Sequence, residues 1–109
     1  MTIYHLAQQS HWRAAQARGS YSQSTVGRTL DEEGFIHAST AEQWPLVRKR
    51  FYAAIDEPLM LLEIDEAKLT ADLVREPGHP GSDELFPHVY GPIEVRAVVA
   101  TTRLDPPHA

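Results

Sequence analysis

The spacing of apolar residues changes several times along the chain, and each change marks an element. In "TIYHLA", Ile3, His5 and Ala7 fall on one face of an extended segment and Tyr4 and Leu6 on the other. "SHWRAAQARG" shifts to helical spacing, with Trp12 and Ala15 as a narrow apolar stripe. Ser10 is its expected N-cap and Gly19 its stop. "SYSQSTVGRTLDEEG" is polar, punctuated by Gly27, and reads mostly as loop. "GFIHA" predicts a second strand, with Phe35 and His37 sharing one face and Ile36 and Ala38 the other. Thr40 and Gln43 match a capping box before a helix through "WPLVRKRFYAAI", where Trp44, Val47 and Phe51 stand at helical spacing. Pro45 would delete an early intrahelical bond, so either the first turn is distorted or the helix starts late.

The second half is richer in strands. "PLMLLEID" is a short, nearly continuous apolar run, as expected of a central strand buried on both faces. "LVRE" suggests another short strand, "PGHPGSDE" a loop, and "LFPHVYG" a strand that puts Phe86, His88 and Tyr90 on one face. "IEVRAVVATTRL" is the clearest alternation in the chain, Ile93, Val95, Ala97 and Val99 against Glu94 and Arg96. Strand, helix, strand, helix and then several strands predict one α+β domain over residues 1–104, with helices packed on mostly antiparallel sheets, and a short tail, 105–109.

Composition narrows the function classes. At 109 residues, 42% hydrophobic and 23% charged, the chain has length for one domain with a real core. With no cysteine there is no disulfide, thiolate metal site or thiol nucleophile, which fits a reducing compartment. A net charge of −5 disfavours generic nucleic-acid binding; the one basic run, Arg48 to Arg50, lies on the predicted helix. No signal peptide or membrane span is visible, and the expectation is a soluble cytoplasmic protein without a membrane partner.

The chemistry concentrates in three histidines on predicted strands: His5, His37 and His88. Imidazole can hold an anion or a hydroxyl, or move a proton near neutral pH. Any one of them is more simply a core histidine satisfied by a backbone carbonyl. Three in one small core are costly unless they share a wet cleft, so the expected arrangement is His5 beside His37, facing a cleft closed by His88 and Tyr90. No pair has the close spacing common in His-only metal sites, and no metal is assigned. Ser39 is left as a ligand contact, whereas Thr40 is better used as a cap. Glu76, at a strand end before a Pro/Gly loop, could grip a sugar hydroxyl or stabilise a cationic transition state; a solvated carboxylate is the plainer reading. Neither a Gly-x-Gly-x-x-Gly motif nor a P-loop is present.

"IYHLA", "EGFIHAST", "LMLLEID" and "LFPHVYGPI" together resemble the bacterial family called domain of unknown function 952, over nearly the whole chain from Ile3 to about Val98. The resemblance implies a fold related to ADP-ribosyltransferases and, among them, to the NAD-using RNA 2′-phosphotransferases. It then implies His5 and His37 at their two signature histidines, NAD as cofactor, and Glu76 as the group stabilising a ribosyl cation. On that reading His5 orients the ribose, His37 or His88 acts as acid or base, and Ser39 and Tyr90 complete the binding site. Leu6 stands where the related enzymes carry glycine, and no group of arginines could hold a 2′-phosphate, so RNA phosphate removal is not expected. The alternative is a module that binds a small molecule or nucleotide without catalysis.

Overall fold

The computed structural model describes residues 1–109. Its central layer is an antiparallel sheet in the order β1 (Thr2–Gln8), β4 (Leu59–Asp65), β8 (Val98–Leu104). The alternation in "TIYHLA" divides the interior in two. Ile3 and Ala7 join Leu62 and Ile64 in the larger core, while Leu6 joins Leu59, Leu61 and Tyr52 in a smaller one behind the sheet. β4 contributes to both cores, which is why its sequence is apolar without alternation.

The larger core is closed by α1 (Gln9–Arg18), through Trp12 and Ala15, and by two further sheets. One is the short pair β2 (Ser20–Tyr21) and β7 (Ile93–Glu94). The other has the order β3 (Ile36–His37), β6 (Leu85–Tyr90), β5 (Asp72–Pro77) and lends Ile36 and Val89. Tyr4 and Ser39 exchange backbone hydrogen bonds of 2.8 and 2.7 Å, tying β1 to the segment after β3. All strand pairs are antiparallel, and with three helices the architecture is the α+β class that the element order predicts.

Several local expectations are corrected. Gln8, not Ser10, is the N-cap of α1, and the Ser10 hydroxyl lies inside the first turn, donating to Glu57. The segment read as loop holds β2 and a one-turn helix, α2 (Leu30–Glu33), whose Thr29 and Glu32 form a full capping box. The helix starts late: α3 (Trp44–Phe51) has Gln43 rather than Thr40 as its N-cap, and Pro45 sits in its first turn, where its missing N–H would have had no intrahelical partner. Trp44 and Val47 do pack inward, but Phe51 is 54% exposed; the next residue, Tyr52, is the buried aromatic. "IEVRAVVATTRL" is not one strand. It pairs first with β2, turns through a 3-10 helix at Val95–Ala97, and only then joins β4, because its two ends belong to different sheets.

The last residues also return to the fold. His108 is 2% exposed, held by Arg48 of α3 and the backbone carbonyl of Glu57.

Candidate functional site

Antiparallel register builds the site. His37 on β3 lies directly opposite His88 on β6, and opposed residues project from the same face of a sheet. On the other flank β5 pairs Val74 with His88 and Glu76 with Phe86, so Glu76 is the diagonal neighbour of His88. The side chains join into a line. Glu76 Oε1 accepts from His88 Nδ1 at 2.7 Å, and His88 Nε2 meets His37 Nδ1 at 3.1 Å. The Tyr90 hydroxyl donates to the same Glu76 oxygen.

The donors fix the protons. An ionised carboxylate only accepts, so His88 carries hydrogen on Nδ1. With one proton per ring, His88 Nε2 then accepts from His37 Nδ1–H, and His37 Nε2 keeps a bare lone pair. That atom has no protein partner, yet every buried side-chain nitrogen and oxygen has one; His37 Nε2 is therefore open to solvent. Burial first, and the neighbouring His88 and His5 second, push the His37 pKa down to about 4, so near neutral pH the ring is neutral and any proton it takes must be passed on rather than held. Glu76 is held below the usual carboxylate range, chiefly by the Tyr90 hydroxyl and then by His88. The same contact raises Tyr90 above the ordinary tyrosine value.

Aromatic neighbours hold the rings in place. Phe35 stacks on His88 with centroids 4.0 Å apart and planes 17° from parallel, and Phe86 tilts against His37 at 4.9 Å. Gly78 makes room for Phe86, since a Cβ there would lie 2.8 Å from its Cδ1.

His5 has a different place from the one expected. It is buried, with Nδ1 donating to the His37 backbone carbonyl at 2.8 Å and Nε2 accepting from the Tyr21 hydroxyl at 2.9 Å. Burial pulls its pKa down to about 4, against the smaller opposing effect of the His37 carbonyl. Neither ring nitrogen is free for a ligand. From the other side, the His37 backbone N–H donates to Ser24 Oγ at 3.1 Å. His5 and Ser24 thus clamp the His37 backbone between them.

The three histidines do not line one cleft. His5 and His88 are both buried, and His37 alone reaches a groove between α3 and the β5–β6 loop. Its walls include Leu46, Val47, Phe51 and Phe86, with Glu42, Arg50 and Glu84 as charged groups. Glu84 accepts from the Gln43 amide, whereas Arg50 has no carboxylate at ion-pair distance. The groove measures about 130 Å³, near the roughly 150 Å³ cavity that holds one benzene ring. Ser39 is buried, and its backbone bonds to Tyr4 are its role in the fold. Glu76 and Tyr90 share the sheet face of His88 but do not line this groove, and their side chains are one-third and nearly half exposed.

Sequence reading found Glu76, His37, His88 and Tyr90, which the sheet brings together, but missed the clamp. Tyr21 and Ser24 lie in a polar stretch without periodicity, and nothing local marks them. No group of three or more His, Asp or Glu side chains has the geometry to hold a metal ion. No helix is long and apolar enough to cross a membrane.

No curated protein matches the chain. The crystal structure of CC0527 from Caulobacter crescentus superposes with a TM-score of 0.80 at 30% identity, covering 96% of this chain and 87% of that one. The solution NMR structure of CC0527 gives 0.74 at 30% identity, covering 95% and 84%. Residues 6–101 match the family described as "Protein of unknown function (DUF952)", and this span, holding the whole carboxylate–histidine–histidine line, makes the chain a member of that family.

Proposed function

We propose that the protein is an enzyme in which His37 acts as general base on a ligand of single-ring size, with Glu76 and His88 as its proton relay. The carrying observation is the hydrogen-bonded line from Glu76 to His37, ending in a nitrogen open to solvent. When His37 Nε2 takes a proton from the ligand, its Nδ1 proton moves to His88 Nε2. The His88 Nδ1 proton then moves to Glu76 Oε1, and the exposed carboxyl returns it to water. Each step is a short shift along an existing hydrogen bond, so the positive charge never has to rest on a buried ring.

The test needs no substrate. Diethylpyrocarbonate acylates free imidazole nitrogens, so it should modify His37 and spare His5 and His88, both of whose nitrogens are bonded. Glu76→Gln keeps an acceptor for His88 but cannot take the proton, and should slow His37 modification about tenfold. An unreactive His37, or an unchanged rate in Glu76→Gln, refutes the relay.

A second reading keeps NAD-dependent ADP-ribosyl transfer and puts the substrate at the other end. It is favoured by Glu76 Oε2, which has no partner and is open to solvent beside the exposed Tyr90 hydroxyl. There a ribose could be held and a developing cation stabilised. Thermal-shift titrations with nicotinamide, ADP-ribose and NAD separate the two. Stabilisation lost in His37→Ala belongs to the groove; stabilisation by ADP-ribose or NAD lost only in Glu76→Gln belongs to the carboxylate end. Binding that survives without any turnover would mark a non-catalytic module.

A further inference from the structure

One stripe of α3 and the turn before it runs the length of the groove: Glu42 and Gln43, then Leu46 and Val47, then Arg50 and Phe51, each pair one helical turn after the last. Charge divides along that stripe. Glu42 stands where the helix begins, beside Glu84, which accepts from the Gln43 amide at 3.1 Å. Arg50 stands two turns on from Gln43, about 10 Å along the axis. Arg50 also belongs to the chain's one basic run: Arg48, Lys49 and Arg50 fill the last turn, and none has a carboxylate at ion-pair distance. Arg48 donates instead to His108 Nδ1 at 3.1 Å and to the Asp105 carbonyl at 3.0 Å. Arg28, Arg75 and Arg103, away from the groove, are each paired with a carboxylate, at 3.0, 2.7 and 2.8 Å. The helix end sets only about half a negative charge against the three cations, so this end of the groove is positive.

We propose that the groove takes an aromatic hydroxy acid, a single planar ring whose carboxylate is held by Arg50 and whose hydroxyl donates to His37 Nε2. The assignment rests on the groove being the ligand site of the base proposed above.

Each part of such a ligand answers to one part of the groove. The volume has room for one ring, with Val47 and Phe86 as walls. Leu46 and Phe51, each more than half exposed, are apolar side chains that the ring would cover. His37 Nε2 is a lone pair without a donor, so the group that meets it must carry hydrogen. A hydroxyl does; a carboxylate there would set acceptor against acceptor. The Arg50 guanidinium has donors only, and its planar fork matches the two oxygens of a carboxylate. Polarity then fixes the orientation, because a carboxylate turned the other way would lie against Glu42 and Glu84. Arg50 is also the charge that adjoins both exposed apolar side chains, one turn after Leu46 and next to Phe51. Glu42 lies a turn before Leu46 and far from Phe51, and Glu84 is tied to Gln43.

The experiment is a set of NMR titrations of the ¹⁵N-labelled full chain near neutral pH with probes of one shape: 4-hydroxybenzoate, the neutral 4-hydroxybenzamide and the cation tyramine. In the wild type the acid should bind about fivefold more tightly than the amide, with shifts in residues 46–51 and in the β5–β6 loop. Arg50→Gln should bring the acid to the level of the amide and leave the amide unchanged, because Arg50 is exposed and pairs with no carboxylate of the fold. An acid that binds no better than the amide overturns the assignment. So does a preference that survives in Arg50→Gln, tightest binding by tyramine, or no binding by any of the three. Diethylpyrocarbonate reads the relay separately. If His37 is modified as expected while the acid shows no preference, only the ligand class fails; an unreactive His37 beside an Arg50-dependent preference refutes the relay and leaves the acid site standing.

Discussion

Replacing His5 with glutamine should remove one proton from the pH dependence of stability. His5 is neutral in the fold, with burial holding its pKa at about 4, against an unperturbed histidine value near 6.5. A histidine whose pKa is lowered by folding gives its stability above the unfolded value, and loses it as the pH falls from there toward the folded one. Over that window the unfolded chain binds a proton that the native protein refuses. The slope from this group approaches about 1.4 kcal/mol per pH unit. Between pH 7.5 and 4.5 the loss is roughly 2–3 kcal/mol, a large part of the stability of a small domain. Urea unfolding across that range measures it, and at typical urea slopes the difference is about 1–2 M in midpoint. Other histidines and the carboxylates contribute to both proteins alike, so the wild type minus His5→Gln isolates one proton. Glutamine is uncharged throughout and can still donate to the His37 carbonyl. Parallel curves for the two proteins over pH 4.5–7.5 would refute the idea that His5 is a buried neutral strut.

Two further substitutions probe the support of the site. Tyr21→Phe removes the donor to His5 Nε2 and leaves a buried lone pair unsatisfied, which should cost about 1–3 kcal/mol at pH 7.5. A differential scan should show a Tm lower by several degrees, and an unchanged Tm would mean that the bond carries no stability. Gly78→Ala brings a Cβ against the Phe86 ring, which must turn. Loss of about 1 kcal/mol, with shifted His37 ring resonances, is expected because Phe86 packs against that ring; unmoved resonances would show the groove to be independent of Gly78.

The elements legible in the sequence were those whose own residues carry the instruction. "TIYHLA" and "PLMLLEID" declare their burial, and Gly19 ends α1 with the left-handed φ of 89° that a stop requires. Phe86, His88 and Tyr90 were correctly put on one face because alternation within β6 is local. What failed was whatever depends on a distant partner. Val95 alternates properly with its neighbours, yet the chain there changes sheets, and no local pattern reports which strand each half will meet. Phe51 fits a helical stripe, but the smaller core ends before it and takes Tyr52 instead. His108 shows the same limit at the far end: a proline-flanked histidine reads as tail until Arg48 and Glu57 are known to stand beside it.

The histidines on three strands differ in one countable property, the number of ring nitrogens that the protein leaves free. His5 and His88 have none, and His37 has one. That difference comes from position in the sheets. His88 is on the central strand of its sheet, flanked by His37 on one side and Glu76 on the other, so both nitrogens find partners within the sheet. His37 is on the edge strand of the same sheet, so one nitrogen faces His88 and the other has no strand beyond it. His5 belongs to a different sheet and touches the line only through the His37 carbonyl, where it fixes backbone rather than conducting protons. On the proposed relay, an edge histidine held from behind by a buried one, and backed by a carboxylate across the sheet, would be a base whose orientation is set before any ligand arrives. Proton transfer needs such preorganisation, and the three polar rings are tolerated in so small a core because every buried ring nitrogen has a partner.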